Sequence, residues 1–150
     1  MSSYNGIFLH VVFGTYDRRP FLTSEIRPRV HAYMGGILNN LQSDPICIGG
    51  VEDHVHFLTR PHTSISPADL VGKVKSNSSR WIRQQLPGLQ NFNWQGGYAS
   101  FSVSYSHLSS VRQYIERQEE HHRRVSFEDE LRSLLEASGI EMDPRIFPQR

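Results

Sequence analysis

Cysteine, lysine and long apolar runs are all scarce in this chain. Cys47 is the only cysteine among 150 residues. An internal disulfide is therefore excluded, and so is a zinc site built on a cysteine cluster. A lone thiol inside an apolar stretch reads as a small buried hydrophobe and fits a reducing, cytoplasmic setting. No segment approaches the ~20 consecutive apolar residues of a membrane-spanning helix, so no membrane partner is expected. The first six residues lack the charged and apolar regions of a secretory leader. The chain shows no internal repeat, no low-complexity segment and no glycine-rich phosphate loop.

Net charge is small as well. Sixteen Lys and Arg against 15 Asp and Glu leave +1, so no overall field points to a polyanionic partner. The distribution says more. Lys73 and Lys75 are the only lysines, and arginine, whose planar fork matches phosphate geometry, supplies the remaining positive charge. Lys73, Asn77, Arg80 and Gln84 recur at helical spacing, Arg18 and Arg19 follow an apolar run, and Arg112, Arg117, Arg123 and Arg124 cluster further on. Each reads either as a solvated face or as a contact to a phosphate backbone. Phe92, Trp94 and Tyr98 read either as stacking platforms for unpaired bases or as core, and core is the better reading for Trp94.

Apolar periodicity divides the chain into elements. Residues 7–13 form a β-branched-rich run of strand length that His10 interrupts. Ser24 is the expected N-cap of a helix to Leu41, with Val30, Met34, Ile37, Leu38 and Leu41 inward. Residues 46–50 and 54–59 read as a hairpin. Ser66, Pro67 and Asp69 form a capping signature for a helix to Gln85. Residues 98–105 alternate as a half-buried strand. Ser110 with Gln113 predicts a capping box for a helix to Arg124, and Ser126 with Asp129 starts a last helix ended by Gly139. The order βαββαβ plus added helices predicts an α+β, ferredoxin-like antiparallel sheet. Residues 1–124 are expected to form the main domain and residues 125–150 a helical tail packed on it or on a partner. The tail's stripe of Phe127, Leu131, Leu134 and Leu135 carries little chemistry, and Ile146-Phe147-Pro148 reads as a small apolar anchor.

Two short patterns carry chemistry. In Asp53-His54-Val55-His56-Phe57-Leu58 the strand alternation turns His54 and His56 to one face and Val55 and Phe57 to the other. The pair is either two strand histidines or half of a divalent-metal site, which then needs at least one more ligand. Asp53 reads as a turn residue or as a carboxylate behind the imidazoles. In the second pattern, residues 112–118, Tyr114 and Gln118 are four apart on a helical stripe with Val111, Ile115 and His122. Tyr114 is either a core aromatic or a nucleophile, and a glutamine within an apolar stripe wants a partner. His121-His122 reads either as a second metal site or, the better reading for His122, as a helix-end residue favoured by the dipole.

These segments, with 9–13, 16–20, 75–80 and 94–98, resemble the single-tyrosine HUH transposases of the IS200/IS605 type and their REP-associated relatives, in the same order along residues 5–122. The resemblance implies that His54, His56 and Gln118 bind Mg²⁺ or Mn²⁺ and that Tyr114 is the nucleophile. It also implies a single-stranded DNA substrate bearing hairpins, and a homodimer in which the tyrosine helix serves its own or the partner's site. Arg18, Arg19, Lys73, Asn77, Arg80 and Arg117 are then the expected DNA contacts. The main competing expectation is a relative that holds structured nucleic acid without cutting it.

Overall fold

A computed structural model of the chain describes residues 2–143. The apolar anchor expected at residues 146–148 lies outside the described residues. A four-stranded antiparallel sheet has the order β2-β3-β1-β4, with β1 Phe8–Gly14, β2 Asp44–Val51, β3 His54–Arg60 and β4 Ala99–Val103. Helices α1 (Arg27–Asn40) and α2 (Pro67–Gln85) complete the βαββαβ order, and α3 (Leu108–Glu116), α4 (Gln118–His121) and α5 (Phe127–Ala137) follow. This is the expected α+β architecture.

Strand alternation gives the sheet two different faces. Val11 and Phe13 of β1 and Val55 and Phe57 of β3 pack with Val30, Met34 and Leu38 of α1 and Leu70, Val71, Val74 and Ile82 of α2. Phe92 and Trp94 close the same core, and the Trp94 indole donates to Ser78 Oγ at 2.9 Å. On the opposite face Val12, Ala99 and Phe101 meet Phe127, Leu131 and Leu135 of α5. His10, His54 and His56 share the parity of Val12 and so lie on this second face. All three are buried.

Several boundaries differ from those expected. Helix α1 begins at Arg27, not after Ser24, and Ile26 and Arg27 donate to the Thr23 carbonyl. A cap at Ser24 would place Pro28 where a helical N–H must donate, and proline has none; starting at Arg27 puts it in the first turn. Strand β2 starts two residues early and includes Pro45, tolerated because β2 is an edge strand with a register shift between Pro45 and Cys47. Strand β4 stops at Val103, and Tyr105 enters a 3₁₀ turn with 79% exposure. The Ser110 capping box does not form: the helix starts at Leu108, and Ser110 Oγ donates back to the His107 carbonyl. Nor does one helix run to Arg124. Arg117, at φ −102° and ψ 22°, separates α3 from α4. The Ser66 and Ser126 caps do form, each accepting from the N–H three residues on.

Candidate active site

The two histidines of β3 reach the second face beneath α3, α4 and α5. The close approach of α3 depends on Gly49 of β2, opposite His56, since a Cβ there would run into the Ile115 carbonyl oxygen. The break at Arg117 turns the buried Gln118 inward, with Oε1 3.0 Å from His54 Nε2. The structure thus brings His54, His56, Gln118 and Tyr114 of one chain to the same place. The His56 and Tyr114 ring centroids are 5.8 Å apart.

At the centre is a residue to which sequence reasoning assigned no role. Glu130 of α5 is buried, and its Oε1 lies 3.2 Å from His54 Nε2, 3.1 Å from His56 Nε2 and 3.0 Å from His122 Nε2. Its Oε2 accepts from the Tyr114 hydroxyl and, at 2.8 Å, from Gln118 Nε2. His122 is therefore part of the cluster and more than a helix-end residue. A signal for Glu130 was present: it stands between Phe127 and Leu131 on the inward stripe of an amphipathic helix, where a carboxylate needs a partner. His10 gave a similar signal by interrupting a strand.

Outer groups fix the rings. Asp53 Oδ1 accepts from His54 Nδ1 at 2.7 Å, and His10 Nε2 meets His56 Nδ1 at 2.8 Å. Asp53 thus stands behind the imidazoles, the second of its two expected roles. The His122 Nδ1–H donates to the Val125 carbonyl at 2.6 Å. Phe127 stacks on His54 with centroids 4.1 Å apart.

The electrostatics follow from this packing. Burial disfavours the charged form of His54, but its bonds to Asp53 and Glu130 outweigh that and raise it to about 9. His56 has only one carboxylate beside it. Burial prevails there, with repulsion from His54 and His122, and lowers it to about 4. Burial and then the charge of His56 push His10 down to about 3. Burial would raise Asp53, but the hydrogen bond and charge of His54, with His122 and Arg18, hold it below the ordinary carboxylate value. For Glu130 burial likewise acts upward, but the bonds from His122, His54 and His56 prevail and hold the carboxyl ionised, well below the usual range. Burial and the Glu130 charge push the Tyr114 phenol above its ordinary value, so it stays protonated in this arrangement.

The phenol is half-buried and lines a cleft of about 460 Å³ with Gln113, Arg117, His121 and Arg124. Other expected DNA contacts lie elsewhere. Lys73, Asn77 and Arg80 are on α2, on the far side of the sheet, and Arg80 donates to Asn77 Oδ1 at 3.1 Å. Arg19 lies over the Tyr16 ring. Arg18 is 3.5 Å from Glu128 and over the Phe127 ring, so it helps to hold α5. His54, His56, His122 and Glu130 present ligand atoms all within 4.8 Å of one another, a donor set compatible with a divalent metal.

Comparison with known proteins bears on what this cluster is for. The family model for IS200-like transposases matches residues 3–118. The chain belongs to the IS200-like transposase family. This IS200-like transposase is thereby a DNA-processing enzyme by family. Its fold is shared with a provisionally assigned transposase from Deinococcus radiodurans R1, 22% identical, with a TM-score of 0.63 over 79% of this chain and 98% of that one. It is also shared with a REP-associated tyrosine transposase solved bound to a REP hairpin, 16% identical, with a TM-score of 0.61 over 83% and 76%. No curated protein sequence matches the chain. His122 and Glu130 lie beyond the segment that the family model matches. Among the described residues, no helix is long and apolar enough to cross a membrane.

Proposed function

We propose that this IS200-like transposase cuts and rejoins single-stranded DNA through a covalent bond to Tyr114, with a divalent cation, Mg²⁺ or Mn²⁺, held by His54, His56 and Gln118. The observation that carries the reading is the convergence, within one chain, of the Tyr114 hydroxyl, the two inward Nε2 atoms and the Gln118 amide around a single carboxylate. Two imidazoles and an amide are neutral donors, and the Glu130 carboxylate among them offsets part of a cation's charge. An ion held there would supply polarisation of the scissile phosphate and stabilisation of a departing 3′ oxygen.

The chain's own groups do the rest. The Tyr114 oxygen bonds to phosphorus, the P–O3′ bond breaks, and the products are a 5′-phosphotyrosine and a 3′-hydroxyl. The phenolic proton, which Glu130 Oε2 accepts in a hydrogen bond, passes to solvent as the bond forms, and the 3′ oxygen takes one up from solvent, so charge balances. The new ester conserves the energy of the old one, so a free 3′-hydroxyl rejoins the strand by attacking it in reverse. Arg117 and Arg124 bring positive charge to the cleft beside the nucleophile, where a phosphate backbone is neutralised. Arg19, Lys73, Asn77 and Arg80 serve more distant parts of the strand. A hairpin beside the cut is the proposed recognition element, in keeping with the hairpin bound by the REP-associated neighbour. Tyr114 serves the histidines of its own chain, whether or not two copies pair as a homodimer.

The test is denaturant-resistant adduct formation between the full chain and hairpin-bearing single strands in Mn²⁺. The wild type is expected to form the adduct and Tyr114→Phe to form none while still binding the hairpin. Cleavage that persists in Tyr114→Phe overturns the reading. Hairpin binding by the wild type with no cleavage establishes the alternative, a nucleic-acid-binding relative that does not cut.

A further inference from the structure

Three imidazoles in the site are built alike, and only two belong to the set proposed above. Each is pinned from outside through Nδ1: His54 by Asp53, His56 by His10, and His122 by the Val125 carbonyl. Each presents Nε2 to the same oxygen, Glu130 Oε1, at 3.2, 3.1 and 3.0 Å. Fixing one ring nitrogen from behind is how proteins orient a metal-ligating histidine.

The inward polar atoms crowd round one carboxylate: Nε2 of the three rings and Nε2 of Gln118 all face Glu130. A carbonyl oxygen only accepts, so His122 Nδ1 carries the proton and donates to Val125. Its Nε2 faces Gln118 Oε1 at 2.9 Å and Glu130 Oε1 at 3.0 Å. Both oxygens are acceptors: Gln118 has already turned its NH₂ to Glu130 Oε2, which leaves its carbonyl facing the imidazoles. A ring nitrogen and two oxygens thus meet inside the protein, at buried Gln118 and Glu130. A metal ion held there would draw on all of them at once. The His54 and His122 ring centroids are 4.5 Å apart.

We propose that His122 and Glu130 join His54, His56 and Gln118 in holding the cation, so that three imidazoles and a carboxylate face it and the site selects Mn²⁺ over Mg²⁺. This rests on the metal-dependent reading above and adds two ligands from the segment between α4 and the middle of α5. Nitrogen-rich donor sets favour transition metals, whereas Mg²⁺ keeps oxygen ligands and water. Oε1 faces the three imidazoles and Oε2 accepts from the Tyr114 hydroxyl, so one carboxylate would tie nucleophile to metal.

The experiment uses the full chain, with Mn²⁺ affinity read from the disappearance of the free-ion EPR signal. Pulsed EPR counts the coordinated imidazole nitrogens in the unaltered protein, so one result depends on no variant folding. Three imidazoles are expected. Glu130→Gln and His122→Asn should each weaken Mn²⁺ binding by about tenfold or more, and Mg²⁺ should displace Mn²⁺ only in large excess. Two imidazoles, together with unchanged affinity in both variants and lost binding in His56→Ala, overturn this proposal and leave the proposed function standing. Unchanged binding in His56→Ala as well removes the metal site altogether, and both readings fall.

Discussion

Gly49 shows how much a single missing side chain decides. It sits opposite His56 in the sheet, and Ile115 of the tyrosine helix fills the space a Cβ would need, with its carbonyl oxygen and with Cγ2 at 2.9 Å. Backbone cannot step aside as a side chain does. Gly49→Ala is therefore expected to lower stability by about 1–3 kcal/mol, the usual cost of overpacking, and to weaken adduct formation because α3 carries Tyr114. Gly36 is the contrast. It lies in α1 with nothing within 4 Å of an added Cβ. Gly36→Ala should be stabilising by about 0.5–1 kcal/mol, since alanine loses less backbone freedom in a helix. Urea unfolding midpoints of the two variants check both signs. Neither role was legible in the sequence: both residues belong to Gly-Gly pairs, and the difference lies only in what the fold brings against them.

Elements were more legible than residues because their signals are local. The Ser66 and Ser126 caps accept from the N–H three residues on, a relation contained in four consecutive positions. Ser126→Ala should destabilise the protein by about 1 kcal/mol, because α5 is docked on β1 and β4 through Phe127, Leu131 and Leu135. Ser110→Ala should cost less than about 0.5 kcal/mol, since that hydroxyl caps nothing and bonds only the turn before it. Thermal unfolding separates the two, and the opposite order would restore the capping box expected from the sequence. The Arg117 break had no such signal. No proline or glycine stands there, and the inward turn of Gln118 is tied to partners, His54 and Glu130, on other elements.

At the scale of the whole molecule, burial of histidine links stability to pH. His31 on α1 is lowered to about 4 by burial and by the neighbouring Arg27 charge. The folded chain thus resists a proton that the unfolded chain accepts near pH 6.5. Stability is full above about pH 6.5 and is lost as pH falls toward 4, where the unfolded state binds the extra proton. The loss from this residue is up to about 3 kcal/mol. His31→Leu should make the profile less steep across that window, with His10 and His56 leaving a residual slope, measured as the urea midpoint at intervals between pH 7 and 4. A profile as steep as the wild type's would place the linkage elsewhere.

The linear order of residues was enough for the sheet's composition, the two alternating faces of β3 and the family resemblance, because strand and helix periods and serine caps act over a few residues. It was also enough to single out His54, His56, Tyr114 and Gln118 as a set. What it did not contain was the company they keep. His10 meets His56 across 46 positions, Gln118 meets His54 across 64, and Glu130 meets His56 across 74. Those meetings depend on strand register, on Gly49 admitting α3 and on α5 folding back over the second face. A carboxylate on an amphipathic stripe became the hub of the site only when three imidazoles were packed against it.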